Sequence, residues 1–236
     1  MQEKAFISLE RREKMVIAHL GRPHRVLSSA IHGGGLTKAQ DVVWTHFHNT
    51  ELPIGADPLT LLAVRLSEAG LTDAVAMMTS RDLAHVHTAA ATSEGIRAEA
   101  VATVGLSNAL RVGDPPGFAP LGTINLLVRI SVPLTEAALI EAICIVTEAR
   151  TAAVSSASWP SRRTGAPATG TGTDCIVVAA PLEGEPLPWC GKHTAAGSAL
   201  GQAALSVIGD GVRTWVAQRA ERSRRRTHTP AHHGRS

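Results

Sequence analysis

Residues 168–180 read ATGTGTDCIVVAA, a glycine- and threonine-rich turn that ends in an acid and runs straight into an apolar strand. Gly170 and Gly172 permit close approaches that a Cβ would block. Thr169, Thr171, Thr173 and Asp174 crowd hydroxyls and a carboxylate against the start of that strand. Such a turn can satisfy its own backbone through Thr and Asp side chains. It can equally form one wall of a polar ligand or reaction site, because loops held on rigid strands often carry function.

The same build recurs along the chain. Apolar segments near 26–31, 40–44, 74–79, 99–104, 123–130 and 174–180 read as strands, most ending or beginning in small polar residues. Asp57-Pro58 opens a helix, with Asp57 as N-cap and Pro58 in its first turn. Thr135 caps a second helix reaching about residue 152, apolar nearly all round between 138 and 146. A third helix starts after His193-Thr194. Alternation of this kind predicts an α/β fold, a layered sheet with helices packed on it in a single domain. His85 and His87 fall in a small-residue segment that reads as helical turn or loop.

Composition narrows the function. The chain has 236 residues, 44% of them hydrophobic, enough for a sizeable core, but only 3% aromatic and no Tyr. That argues against single-stranded nucleic-acid binding, which uses aromatic stacking platforms. The net charge of +3 is uneven: six Arg and one Glu from 219 onward leave 17 basic and 19 acidic residues before them. We therefore expect a near-neutral domain over 1–218 and a basic, disordered tail over 219–236. Three single cysteines, Cys144, Cys175 and Cys190, fit a reduced cytoplasmic setting. No apolar run reaches the roughly 20 residues of a membrane span. His46 and His48 form an H-x-H pair, but no carboxylate or Cys partner is obvious, and no metal site is expected.

In order from residue 26 to about 204, the chain carries VLSSAIHGGG, a DP-initiated helix, MMTS, ATVGLSNALRVGD, GTINLLV, LTEAALIEAICIVTEAR, ATGTGTD and GKHTAAGSALGQA. Together these motifs resemble the adenosylcobinamide amidohydrolase (CbiZ) family. The resemblance implies hydrolysis of the amide that joins the aminopropanol arm to the corrin ring, giving adenosylcobyric acid for corrinoid salvage. It also implies a small-molecule corrinoid substrate whose cobalt comes with it and no further cofactor, and from the composition we expect neither a nucleic-acid nor a membrane partner. Arg150 stands where the family usually has Lys.

Amide hydrolysis needs a nucleophile or activated water, an oxyanion stabiliser and an acid for the leaving amine. The residues offer a water activated by Glu148 or Asp174, with His193 as the acid. Thr123 or Thr173 as covalent nucleophile is the alternative. Backbone N–H groups of the 170–173 turn and Asn125 would hold the oxyanion. Ser28, Ser29, Gly34, Gly35, Thr79, Ser107, Asn108, Asn125, Gly170 and Gly172 would contact substrate, in one wide and partly apolar cleft into which Glu148 points from its buried helix. A non-catalytic protein that holds a corrinoid or an anion in glycine-rich loops is the rival reading.

Overall fold

The centre of the fold is a pair of parallel neighbours, β8 (Ile124–Ile130) and β10 (Cys175–Pro181), with Cys175 opposite Asn125. Every residue of β8 is buried, and so is all of β10 after Cys175. A strand covered on both faces has no polar side to show, so its sequence is almost continuously apolar. The computed structural model describes residues 6–51, 55, 57–117 and 122–227.

Around this pair an eight-stranded sheet runs in the order β4 (Val75–Thr79), β3 (Gly35–His46), β2 (Met15–Ser28), β10, β8, β6 (Ile96–Val104), β5 (Val86–Ser93). β1 (Ser8–Arg12) adds to β2. β3–β4 and β10–β8 pair in parallel and the other neighbours are antiparallel. A short ribbon of β7 (Ala109–Leu110) and β9 (Gly170–Thr171) joins the polar turns at one end of the central strands.

β2, β3 and β6 are longer than the sequence suggests, and β1, β5, β7 and β9 were not expected. The segment expected at 26–31 is the last part of β2, which begins at Met15 and stops at Ser28. Its register shifts between His19 and His24, with Gly21 at φ 77°. This bulge lets one strand pair with β1 in its first half and with β10 in its second. The expected 40–44 strand begins at Gly35. The His85–His87 region is a 3-10 turn leading into β5, an edge strand whose exposure alternates but whose Ala residues fall on both faces, so no period shows in the sequence.

Helices cover the sheet. Leu62 and Leu66 of α1 (Pro58–Glu68) pack on Ile17, Val43 and Ala76. α2 (Glu136–Ser156) and α3 (Ala195–Thr227) cover alternate residues of β6, β8 and β10. The caps are those expected: Asp57 accepts from the N–H groups of Leu59 and Thr60, and Thr135 from that of Ala138. α3 continues through residues 219–227, so the first half of the expected disordered tail is helical. Arg219 stacks over Trp215, and cations suit a helix C-terminus. The remainder of the tail lies outside the described residues.

The opposite face closes on itself. Val16, Ala18, Val26, Trp44, Val101, Leu127, Val177 and Ala179 share one core. The Trp44 indole donates to the Asn125 carbonyl (3.4 Å) and the Asn125 amide donates to the Met78 carbonyl (2.8 Å). β3 and β4 thus meet β8, from which β2 and β10 separate them in the sheet order. At the other end of that face, Glu99 accepts from the N–H groups of Phe6 and Ile7, and Arg129 donates to the Phe6 carbonyl and to Nε2 of His24.

His24 is fully buried, its Nδ1 facing the Arg22 carbonyl at 2.7 Å while Nε2 receives Arg129 at 2.9 Å. One donor and one acceptor define the neutral imidazole. Burial pushes its pKa down, and the charge of Arg129 adds to that. Below the ordinary His pKa of about 6.5 the unfolded chain therefore takes up a proton that the folded chain refuses. This part of the stability is present above that pH and is lost as the pH falls through it. Urea unfolding of wild type and His24→Gln checks this. The variant should be about 1–3 kcal/mol less stable at pH 7.5, with the gap narrowing toward pH 5.5; a gap that stays constant over that range contradicts it.

Candidate active site

β8 and β10 start side by side, so the turns that precede them, at 122–123 and 170–174, are pressed together. Asp174 closes the second turn. Its carboxylate accepts four hydrogen bonds, from the N–H groups of Ile124 and Thr171, from the Thr171 hydroxyl and from the Arg150 guanidinium. Burial pushes this carboxyl's pKa up, while Arg150 and the Thr171 and Ile124 donors oppose the rise. Four donors are what the lone pairs of one carboxylate can accept. Asp174 is therefore a cage that fixes the turn and Arg150, with no lone pair left to activate a water.

The neighbouring hydroxyls lace the two turns. Thr123 faces the Thr173 carbonyl at 2.7 Å and Asn125 Oδ1 at 3.1 Å, and Thr173 donates to the Gly122 carbonyl at 3.1 Å. Gly172 N–H donates to the Asn108 carbonyl, and a Cβ at Gly122 would strike Ser107 and Asn108. β2 ends alongside, where Ser29 accepts from the Ile176 N–H at 3.1 Å and Ser28 from that of Ala30. Ser28, Ser29, Ser107, Asn108, Thr123, Asn125, Gly170, Gly172, Thr173 and Asp174 thus do gather at one end of the central strands. Thr79, bound to the Arg81 N–H, adjoins the Met78 carbonyl that receives the Asn125 amide.

The open space at this end is a groove of about 380 Å³ between α2 and the ends of β2 and β10. Leu27, Ile143 and Ile176 form its apolar side, and Ser28, Ser29, Thr147, Arg150 and Asp174 its polar one. It is narrower than the wide cleft expected, lying at the low end of the roughly 300–1,000 Å³ of small-ligand sites. Cys175 is adjacent but chemically quiet: burial, with the charge of Asp174, pushes its thiol up to about 11.

Four expected contributors, Glu148, His193, Gly34 and Gly35, do not line this groove. The Glu148 side chain is 59% exposed, pairs with Lys192 at 2.5 Å and borders a different groove between α2 and α3. The reason is angular. Ile143, Thr147 and Arg150 occupy the face of α2 that lines the site, whereas Glu148 follows Glu141 and Cys144 onto a neighbouring face. His193 is exposed in the turn before α3, next to Lys192. Gly34 lies in the β2–β3 connection, where a Cβ would strike the Ala30 carbonyl, and Gly35, at φ 86°, opens β3 opposite Ser28. Among the described residues no group of three or more His, Cys, Asp or Glu side chains could hold a metal ion. No helix among them is long and apolar enough to cross a membrane.

Arg150 is the residue the sequence reading passed over, and a signal for it existed: an acid starting a buried strand needs a cation, and α2 supplies one. Gly170 is shaped around the pair, since a Cβ there would collide with both the Arg150 guanidinium and the Asp174 carboxylate. Gly170→Ala should displace Arg150 and cost about 1–3 kcal/mol, the range for overpacking, read as a fall in Tm. Glu148→Gln removes only an exposed ion pair, worth about 0–1 kcal/mol. It should leave Tm within about two degrees of wild type and turnover nearly unchanged, and a large loss of turnover would return Glu148 to the site.

Comparison with known proteins agrees with the motifs. Three solved structures are similar in fold. They are the PH0078 protein from Pyrococcus horikoshii OT3 (12% identity, 89% of this chain and 83% of that one, TM-score 0.43), a β-aminopeptidase from Burkholderia sp. (13%, 89% and 82%, 0.45) and the L-aminopeptidase D-Ala-esterase/amidase from Ochrobactrum anthropi (13%, 90% and 82%, 0.41). No curated protein sequence matches the chain. The family model for adenosylcobinamide amidohydrolase (CbiZ) matches residues 1–220, nearly the whole sequence and all of the strands just described. The chain belongs to the adenosylcobinamide amidohydrolase family.

Proposed function

We propose that the protein hydrolyses the amide between the aminopropanol arm and the corrin ring of adenosylcobinamide, releasing adenosylcobyric acid and the amino alcohol in corrinoid salvage. The observation that carries this reading is the family match over 1–220, on a chain in which Ser28, Ser29, Thr147, Arg150 and Asp174 line one groove. The size of the groove supports a division of the substrate. A space of about 380 Å³ takes an amide and its short arm, while the much larger corrin ring, with its cobalt, stays at the mouth. The metal in this scheme arrives with the substrate, and the reaction is placed in the cytoplasm, which the three free cysteines support.

The chemistry belongs to the polar side of the groove. Asp174 is saturated and Glu148 lies outside, so neither carboxylate supplies the base first expected. The attacking oxygen is a water or a hydroxyl at the groove's rim. Ser29 lines the groove in an exposed position and its oxygen already accepts the Ile176 N–H, while Thr173 is exposed in the adjoining 170–174 turn. Thr123 is buried and tied to the neighbouring turn, a positioning role.

Incubation with adenosylcobinamide, followed by chromatography, tests the reading. Adenosylcobyric acid and aminopropanol should appear in equal amounts over many turnovers. Tight corrinoid binding with no product over the same period would overturn it in favour of a carrier. Ser29→Ala and Thr173→Ala then separate the routes: a loss of about a thousandfold or more in kcat marks the nucleophile, and a water mechanism predicts a smaller loss in both.

A further inference from the structure

The polar side of the groove holds one cation. Arg150 reaches in from α2 with its side chain 13% exposed and gives one terminal nitrogen, Nη1, to Asp174. Its Nε is buried and has no hydrogen-bond partner among the described residues. A buried guanidinium donor left unpaired is unusual, because burying a polar group without a partner is unfavourable. Nε shares an edge with Nη2, and that edge is the planar fork that meets a carboxylate or an oxyanion at two points. Asp174 cannot fill it, since all its acceptor sites are taken and its bond runs to Nη1. Gly170, which has no Cβ to obstruct the guanidinium, lets Arg150 occupy this position.

We propose that Arg150 is the anion-holding residue of this site: it stabilises the oxyanion formed on the scissile carbonyl and then holds the carboxylate product. The proposal rests on the amidohydrolase reading above. As the attacking oxygen of water bonds to the amide carbon, the carbonyl π pair moves onto its oxygen, and that charge faces Arg150. Collapse of the intermediate re-forms the carbonyl and breaks the C–N bond. Both water protons end on the nitrogen, which leaves as an ammonium, and the acid remains as a carboxylate. Attack by an enzyme hydroxyl would place the same oxyanion at the same carbonyl before water releases the acid.

A cation fixed in this way binds the charged product better than the neutral amide, so product inhibition should be marked and should depend on Arg150. The test compares wild type, Arg150→Lys and Arg150→Gln in kcat, KM and inhibition by adenosylcobyric acid, with Tm measured for each. Arg150→Gln should lose about 100-fold or more in kcat, as when one oxyanion donor is removed. Its KM should stay within about threefold, and inhibition by product should weaken at least tenfold. Arg150→Lys, which keeps a charge against Asp174, should retain kcat within about tenfold. Arg150→Ala should regain activity with millimolar guanidinium.

A folded Arg150→Gln with nearly normal kcat and undiminished product inhibition overturns the proposal. So does a loss of activity in all three variants that follows Tm and is not rescued by guanidinium. Wild type that makes no adenosylcobyric acid would instead defeat the amidohydrolase reading. Calorimetry with adenosylcobyric acid and adenosylcobinamide then decides the role of Arg150: preference for the acid, lost in Arg150→Gln, upholds an anion site, and equal binding overturns it.

Discussion

The Asp174 carboxylate holds this end of the molecule together. It joins the start of β8 through the Ile124 N–H, the 170–174 turn through Thr171, and α2 through Arg150. A carboxylate taken out of water is costly on its own, and it persists here because its acceptor sites are filled and a cation faces it. Removing one partner from such a buried pair typically costs about 3–5 kcal/mol, far more than the pair contributes over a neutral replacement. The register of β8 against the 170–174 turn and the seat of α2 beside them together supply the donors this group needs. Its placement also decides what the site can do: a saturated acid orders its surroundings and leaves the acid–base work to others.

A second constraint acts on the opposite face. Asn125 sits near the start of a buried strand whose other polar residue is Arg129, and a buried amide must find partners. It finds the Met78 carbonyl, while its own backbone carbonyl receives the Trp44 indole. Those two bonds need β3 and β4 to curl over β8, and the bulge in β2 supplies the bend. The polar strand ends of a flat sheet would lie along an edge many ångströms long. Curled, the sheet brings Thr79 beside Asn125, while Asp174 stays on the α2 side and lines the groove.

Much of this was legible in the sequence. Largely apolar runs announced β4, β8 and β10, because strands buried on both faces carry few polar residues. The caps of α1 and α2 were readable since Asp57 and Thr135 act locally on N–H groups two or three residues ahead. What failed to show depended on partners distant in sequence. β5 is an Ala- and Thr-rich edge strand whose identity comes from pairing with β6, and the first half of β2 is broken up by the bulge that makes it work. Glu148 and Arg150 are two residues apart on one helix, and only the packing of α2 decides which faces the strands. An unpaired acid at the mouth of a buried strand was the better guide, since it required a cation, and Arg150 is the one α2 could turn toward it.

The site's economy follows from the same geometry. Small residues dominate the 170–174 turn because backbone and guanidinium share a space that a single Cβ at Gly170 would take. That closeness leaves a groove of limited volume, apolar along Leu27, Ile143 and Ile176 and polar along Ser29, Thr147 and Arg150. An amide on a short aliphatic arm has this same split, a strongly polar carbonyl beside carbon that prefers to leave water. With the polar wall anchored by a buried ion pair and the apolar wall formed by core residues of β2, β10 and α2, neither side can shift without disturbing the fold. A site built this way is preorganised by its scaffold, and preorganised dipoles and charges are what stabilise an oxyanion without reorganisation at the moment of reaction.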